Sequence, residues 1–155
     1  MRTIHLFVAI LLAGFTFSCN AGHAQSITGQ TAALDNTTDG KTVKGWYTAW
    51  QKGDWNLMSQ ILADEFTFTS PLDDHLKMDV FKKRCWVPNA GKIKSVDVQE
   101  MIMKGDAIFV IINGYNPDGK LLRNCDYFKL KAGKIISYEC FFGPGINYPT
   151  NTGKQ

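Results

Sequence analysis

Two carboxylates in the C-terminal part of the chain can face each other across a β-hairpin. Residues 121–130 and 135–142 alternate in polarity around Ala132-Gly133, a pair that suits a two-residue hairpin turn. Counting outward from this turn places Asp126 opposite Glu139, with their Cβ atoms roughly 5.5 Å apart. If this face lines an apolar cavity, burial and like charge raise the pKa of one acid, which is the arrangement that acid–base catalysis requires. The alternative is that Glu139 lies at the sheet rim in water.

A second polar group lies in the predicted loop after the first strand. Asp73 and Asp74 precede His75, the sole histidine beyond the N-terminal 24 residues. Two carboxylates beside an imidazole could perform acid–base chemistry or hold a cation. The alternative is a solvated surface loop, because Asp and His side chains are mostly exposed.

The cysteines and histidines exclude several classes of site. The same hairpin register places Cys125 opposite Cys140, which is compatible with a disulfide or with two buried thiols, and Cys85 is expected in a helix core. Without a C-x-x-C pair or a second histidine, neither a zinc site nor a Ser-His-Asp triad is expected. The chain also lacks the glycine-rich motifs that bind nucleotides, so no metal and no cofactor are expected.

Length and composition indicate one globular domain. The chain has 155 residues, of which 45% are hydrophobic and 20% charged. These values exclude a collagen, a coiled coil and a disordered chain. A formal net charge of +3 is too small to indicate nucleic acid or an anionic membrane as a partner.

The N-terminus has the features of an export signal. Arg2 precedes an apolar run over residues 4–17, and small residues follow up to Ala24. The run is too short for a comfortable membrane span, which needs roughly 20 apolar residues. Cleavage after Ala24 predicts a periplasmic or secreted protein, and lipidation of Cys19 is the alternative. Residues 25–38 are small, polar and aperiodic, which predicts a flexible leader.

Periodicity predicts the elements that position these side chains. Helical spacing predicts a helix from Thr38 or Asp39 to Gly53, a second helix capped by Asp54, and a third capped by Asp79. A short strand covers residues 66–69. Alternating polarity predicts four more strands, joined by hairpins, over residues 93–103, 107–115, 121–130 and 135–142. The order α-α-β-α-β-β-β-β indicates an α+β domain over residues 39–145, and residues 146–155 form an irregular tail.

Three stretches together resemble one known family. They are Trp50-Gln-Lys-Gly-Asp-Trp55, Phe66-Thr-Phe-Thr-Ser-Pro71 and the hairpin from Asp126 to Ile135. Over residues 42–142 the chain resembles the SnoaL-like branch of the NTF2-like superfamily. The resemblance implies a cone in which a strongly curved antiparallel sheet wraps a long helix and leaves an apolar cavity. Polyketide cyclases, ketosteroid isomerases, dehydratases and purely binding proteins share this fold.

The resemblance also assigns roles to particular positions. Asp126 holds the place of the acid that opens the final hairpin strand in isomerases and cyclases. Ser70 stands where the isomerases have their aspartate base, and Trp46 stands where they have a tyrosine, with Tyr47 one position further. The cyclases have a histidine on the strand of residues 107–115, where Asn113 is the sole polar inner candidate. With Glu139 from the hairpin register and His75 from the Asp73–His75 segment, the catalytic candidates are Asp126, Glu139 and His75.

The aromatic residues are first of all expected to form the core, since each buries about 150–250 Å². Their number also suits a pocket for a flat apolar ligand. The residues expected to bind it are Trp46, Tyr47, Trp50, Phe66, Phe68, Asp73, Asp74, Trp86, Asn113, Phe128 and Phe141.

Two functions follow from these observations. The first is an exported domain that binds a small apolar or aromatic molecule without established catalysis. The alternative is a cofactor-free isomerase, cyclase or dehydratase in which Asp126 is the general acid or base. The resemblance to NTF2-like proteins implies a homodimer through the convex sheet face, and the same register predicts that this face carries Tyr127, Ile136, Tyr138 and Phe142.

Overall fold

The computed structural model describes the backbone of residues 27–142 and the side chains of residues 31–142. The export signal over residues 1–24, the lipidation site Cys19 and the tail over residues 146–155 lie outside this range. The expectations for these segments therefore stay predictions.

Six strands form one strongly curled sheet behind the helices. The strand order is β2-β1-β6-β5-β4-β3, and neighbouring strands are antiparallel except for the parallel pair β1 and β6. This arrangement confirms the predicted α+β domain with a curved, largely antiparallel sheet. The strands are β1 (Leu62–Ser70), β2 (Asp73–Lys77), β3 (Ser95–Lys104), β4 (Ala107–Tyr115), β5 (Leu121–Lys131) and β6 (Lys134–Phe141).

The helices begin and end close to their predicted limits. Asp54 caps its helix as predicted, because its side chain accepts a hydrogen bond from the Leu57 amide at 3.0 Å. Asp79 lies in the first turn of its helix, and Lys77 is the N-cap instead. The helical elements are α1 (Ile27–Leu34), α2 (Thr38–Lys52), α3 (Trp55–Ile61), α4 (Met78–Phe81), a π-helical turn (Lys82–Trp86) and α5 (Val87–Asn89).

Two elements differ from the sequence expectation. Helix α1 occupies part of the segment predicted as a flexible leader, and Thr31 anchors it to β3 through both backbone groups of Met101, at 3.0 and 3.3 Å. Strand β2 occupies the segment predicted as a loop. Its polar residues have low strand propensity, and pairing with β1 at the sheet edge decides its conformation.

A β-bulge sets the register of the last hairpin. Ala132 and Gly133 form the predicted two-residue turn, both with positive φ, and Leu130 pairs with Ile135 as predicted. Lys129 then pairs with Ser137, which leaves Ile136 as an extra residue on β6. Because one inserted residue reverses which side chains face inward, the pairings beyond the bulge differ from those counted on a regular ladder.

The core lies between α2 and the inner face of the sheet. Val43 and Trp46 of α2 are at most 1% exposed, and the buried sheet residues include Phe66, Phe128 and Ile135. Phe81 and Trp86, five residues apart across the π-helical turn, are both buried. The cavity described below opens beside this core.

Candidate functional site

A cavity of about 1000 Å³ opens between α2, the α4–α5 segment and the inner face of the sheet. Its walls are mainly apolar, and its polar lining includes one group of side chains around Asp126 and another around Asp73. The apolar lining includes Trp46, Trp50, Phe68, Leu72, Val96, Ile112, Leu122, Cys140 and Phe142. The polar lining includes Tyr47, Ser70, Asp73, Arg84, Asn89, Lys92, Asn116, Asp118, Asn124, Asp126 and Tyr138.

Asp126 lies on the inner face of β5 and is fully buried. Three side chains donate hydrogen bonds to its carboxylate. The Tyr47 hydroxyl reaches Oδ2 at 2.7 Å, and the Tyr138 hydroxyl reaches Oδ1 at 2.8 Å. The Asn124 amide nitrogen also reaches Oδ1, at 2.7 Å. Helix α2 and strands β5 and β6 thus meet at a single carboxylate.

Burial dominates the electrostatics of this cluster. Desolvation raises the pKa of Asp126 to about 6, and the hydrogen bonds from Tyr47 and Tyr138 oppose that rise. Burial, together with the adjacent carboxylate, raises the pKa of both tyrosines well above the ordinary value. The tyrosines therefore remain protonated donors, and Asp126 can change its charge between pH 5 and 7.

The predicted pairing of Asp126 with Glu139 is wrong. Asp126 pairs with Cys140, and Glu139 pairs with Tyr127 on the opposite face of the hairpin. The bulge at Ile136 causes this exchange, so a second carboxylate plays no part in raising the pKa of Asp126. The predicted pairing of Cys125 with Cys140 is wrong for the same reason, since Cys125 pairs with Phe141. Both thiols are free.

The segment from Asp73 to His75 is divided between the cavity and solvent. The Asp73 side chain lines the cavity, where Arg84 Nη2 lies 2.7 Å from its Oδ1 and the Ser70 hydroxyl lies 3.4 Å from its Oδ2. Asp74 and His75 pair with each other, and their side chains are 83% and 71% exposed. Asp74 and His75 do not line the cavity. For these two residues the structure agrees with the alternative of a solvated surface segment.

The aromatic residues predicted to bind the ligand lie either in the cavity wall or in the core. Trp46, Tyr47, Trp50 and Phe68 line the cavity. The other buried aromatic candidates pack in the core without lining it, and these are Phe66, Trp86 and Phe128.

Two other residues predicted to bind the ligand point away from the cavity. Phe141 is 56% exposed, because the bulge turns it to the outer face of β6. Asn113 lies on the outer face of β4, opposite Arg123, whose Nε donates to the Asn113 side-chain oxygen at 3.1 Å.

The sequence reasoning missed most of the residues that line the cavity. On the last hairpin and just after it, these include Asn124, Tyr138, Cys140 and Phe142. The last three have a signal in the sequence, since they alternate with Ser137, Glu139 and Phe141 in a phase that does not continue from Ile135. A change of phase within a strand is what an extra residue at a bulge produces. Asn124 could have been found from the strand pattern, because residues two apart on a strand share a face and Asn124 lies two residues before Asp126.

The thiols of the cavity wall are poor nucleophiles. Burial raises the pKa of Cys140 to about 12 and that of Cys85 to about 11, with nearby carboxylates adding to both shifts. Within residues 31–142, no cluster of three His, Cys, Asp or Glu side chains could hold a metal ion. Every helix in the described part of the chain is too short or too polar to span a bilayer.

The sequence profile of the SnoaL-like domain matches residues 43–138, from the first long helix to the tyrosine that contacts Asp126. The chain belongs to the SnoaL-like domain family. The match covers most of α2 and all of β6 up to Tyr138, so Asp126 and the three side chains that donate to it lie within the family domain. No curated protein sequence matches the chain.

Solved structures show the same fold in this SnoaL-like domain. An NTF2-like protein of unknown function from Cytophaga hutchinsonii is 23% identical, with a TM-score of 0.54, over 70% of this chain and 91% of that one. A candidate polyketide cyclase from Sinorhizobium meliloti is 19% identical, with a TM-score of 0.56, over 64% and 93%. An LEH-like epoxide hydrolase from Mycobacterium tuberculosis is 14% identical, with a TM-score of 0.55, over 66% and 80%. These likenesses establish the NTF2-like fold of the domain.

Proposed function

We propose that this SnoaL-like domain binds a small apolar or aromatic molecule in its cavity. The observation that carries the proposal is the cavity of about 1000 Å³, which has mainly apolar walls and polar side chains grouped around Asp126 and Asp73. Binding sites for small molecules have this volume and this composition, in which apolar walls supply contact area and a few polar groups fix orientation. The fold itself does not determine the ligand.

The aromatic rings of the wall suit a flat ligand. Trp46 and Trp50 lie with ring centroids 6.1 Å apart in an edge-to-face arrangement. Phe68 stacks on Tyr138 at 5.6 Å. Aromatic rings prefer offset or edge-to-face contacts with centroids 4.5–7 Å apart. A ligand with an aromatic ring can therefore extend the ring packing that the wall already contains.

We expect a bulky side chain inside the cavity to prevent ligand binding. Leu122 lines the cavity, whereas its neighbour Leu121 is 36% exposed on the opposite face of β5. Leu122→Trp should weaken binding of 2-naphthol and 2-methoxynaphthalene by about tenfold or more, because the indole occupies their volume. Leu121→Trp is the matched control and should bind as the unsubstituted protein does.

Isothermal titration calorimetry measures the affinity of both variants for the two compounds. A thermal unfolding transition first shows that each variant is folded. Equal affinity in the two variants would place the binding site outside the cavity. Failure of the unsubstituted protein to bind either compound would contradict the proposal for flat aromatic ligands.

Proton transfer by Asp126 is the second candidate function. It is favoured by the pKa of about 6, which allows Asp126 to exchange a proton near neutral pH. The reaction would be a cofactor-free isomerisation, cyclisation or dehydration. Steroid isomerisation of the usual kind is disfavoured, because the Ser70 hydroxyl accepts from the Leu72 amide and lies against Asp73 instead of providing a carboxylate base.

The outer sheet face supports the proposal of a homodimer, with a corrected set of residues. Tyr138 and Phe142, expected on this face, line the cavity instead. The apolar patch is formed by Phe109, Ile111, Tyr127 and Phe141, of which Phe109 and Phe141 are 42% and 56% exposed. Contiguous exposed apolar residues are typical of a contact between proteins.

Phe141→Asp is expected to convert the dimer into a monomer, because the twofold symmetry introduces the carboxylate on both subunits and each one loses hydration in an apolar interface. Val87→Asp, at an apolar position that is 68% exposed in α5, is the control and should leave the assembly unchanged. Light scattering measures the molar mass of the protein and of each variant at about 50 μM, a concentration at which a weak dimer would still form. A monomeric unsubstituted protein would contradict the proposal.

We also propose that the chain is exported. The support is the apolar run after Arg2 and the small residues that end at Ala24. Processing gives either a soluble protein that begins at Gln25 or a protein lipidated at Cys19. N-terminal sequencing and intact mass of the protein from its native host distinguish the two forms.

A further inference from the structure

The carboxylate of Asp126 accepts hydrogen bonds from both neighbouring tyrosine hydroxyls. Three donors converge on its two oxygens, which identifies it as an acceptor in this arrangement. A tyrosine hydroxyl has one proton, and both Tyr47 and Tyr138 donate theirs to Asp126. Their phenolic oxygens can therefore only accept any further hydrogen bond, and both tyrosines line the cavity. The Asp126 end of the cavity is consequently rich in acceptors, whereas the donor Arg84 lines the cavity beside Asp73.

The amide of Asn124 adds a further acceptor. Its nitrogen must face Asp126, because a carboxylate oxygen accepts and cannot donate. The amide oxygen, Asn124 Oδ1, then points away from Asp126. This oxygen is buried and receives no hydrogen bond from the described residues. A buried acceptor without a donor is costly, so a group that donates to it is favoured there.

The neighbours of Asn124 on the inner face have no side-chain donors. Ile112 lies opposite it on β4, and Leu122 lies two residues before it on β5. Both are apolar and line the cavity. A ligand donor can thus come from the cavity side, and because this oxygen is buried, the neighbouring apolar side chains must shift slightly for the donor to reach it.

We propose that the cavity selects ligands that carry a hydrogen-bond donor, a hydroxyl or an N–H, on a flat apolar body, and that Asn124 Oδ1 accepts from this group. The inference rests on the proposed binding function and specifies its ligand class. A ligand whose polar end only accepts, such as an ether, places its oxygen against Asn124 Oδ1 and the two phenolic oxygens. A ligand hydroxyl instead satisfies the buried acceptor.

The test compares two ligands of nearly equal shape on the unsubstituted protein. 2-Naphthol has a hydroxyl donor, and 2-methoxynaphthalene has an ether oxygen that only accepts. We expect 2-naphthol to bind about tenfold more tightly by isothermal titration calorimetry at pH 7.5, because one buried hydrogen bond separates the two complexes. Equal affinities, or tighter binding of the ether, would overturn the inference and leave the binding function intact. Binding of neither compound would overturn both.

A substitution at Asn124 tests whether its side-chain oxygen causes the preference for a donor ligand. Asn124→Leu removes the acceptor and keeps the side-chain volume, so the preference for 2-naphthol should fall to less than about twofold. Asn113→Leu is the matched control, since Asn113 lies on the outer face of the adjacent strand and bonds Arg123. This control should keep the full preference. A preference that survives Asn124→Leu, or that Asn113→Leu removes, would overturn the assignment to Asn124. The ligand comparison on the unsubstituted protein decides the donor preference even if Asn124→Leu does not fold.

Discussion

Trp46→Ala is expected to lower the free energy of unfolding by about 3–5 kcal/mol, the loss typical of a large aromatic side chain removed from a core. The Trp46 side chain is 1% exposed at the centre of an aromatic cluster. Its ring lies 4.2 Å from that of Tyr138 and 5.7 Å from that of Phe81, centroid to centroid. Alanine would leave a hole that rings held by α4, β5 and β6 cannot fill without leaving their own contacts.

Urea denaturation followed by circular dichroism measures this loss. Trp55→Ala is the matched control, because Trp55 is partly exposed and packs at the edge of the same cluster. Its loss should be clearly smaller. If the two variants lost equal stability, Trp46 would not be the centre of a tightly packed core. A loss below about 1 kcal/mol for Trp46→Ala would contradict the prediction outright.

Asp126→Asn is expected to remove a pH dependence of stability of about 3 kcal/mol. The pKa of Asp126 is about 6 in the folded protein, above the value of about 3.9 for an unfolded aspartate. Between these two values the folded state binds more protons than the unfolded state, so the free energy of unfolding falls as the pH rises. The contribution is fully present below pH 4 and is lost as the pH rises through 6.

Denaturation at several pH values from 4 to 8 measures the difference in unfolding free energy between the unsubstituted protein and Asp126→Asn. This difference should decrease by about 3 kcal/mol across the range, because other carboxylates contribute equally to both proteins. Asp64→Asn, at an exposed position on β1, is the control, since an exposed carboxylate is hydrated in both states. A difference that stays constant, or that increases with pH, would show that Asp126 is not buried as a raised-pKa acid.

The same variant separates the two candidate functions. Asparagine keeps the shape of aspartate and can still accept from one tyrosine, so binding of an aromatic ligand should persist. Any turnover that depends on proton transfer at Asp126 should be lost, because an amide does not titrate. Retained turnover in Asp126→Asn would exclude the catalytic role.

The sequence by itself determined the elements that depend on local chemistry. Helical spacing and capping residues located α2 and α3, since Asp54 and Gly53 act on the backbone within a few residues of themselves. Alternation located the four C-terminal strands, and Ala132-Gly133 located the last turn. The resemblance to the SnoaL-like family implied that Asp126 points into the cavity, and the structure shows Asp126 on the inner face of β5.

The groups that contact Asp126 were decided by the tertiary structure. Counting from a turn assumes a regular ladder, and the curled sheet has a bulge at Ile136 that exchanges the two faces of β6 beyond it. The bulge places Tyr138, a donor, beside the buried Asp126 and leaves Glu139 on the other face. A second carboxylate there would bury like charges, whereas a tyrosine hydroxyl stabilises the first. Such a choice depends on residues that are far apart in the sequence, as Tyr47 and Asp126 are, and no local pattern records it.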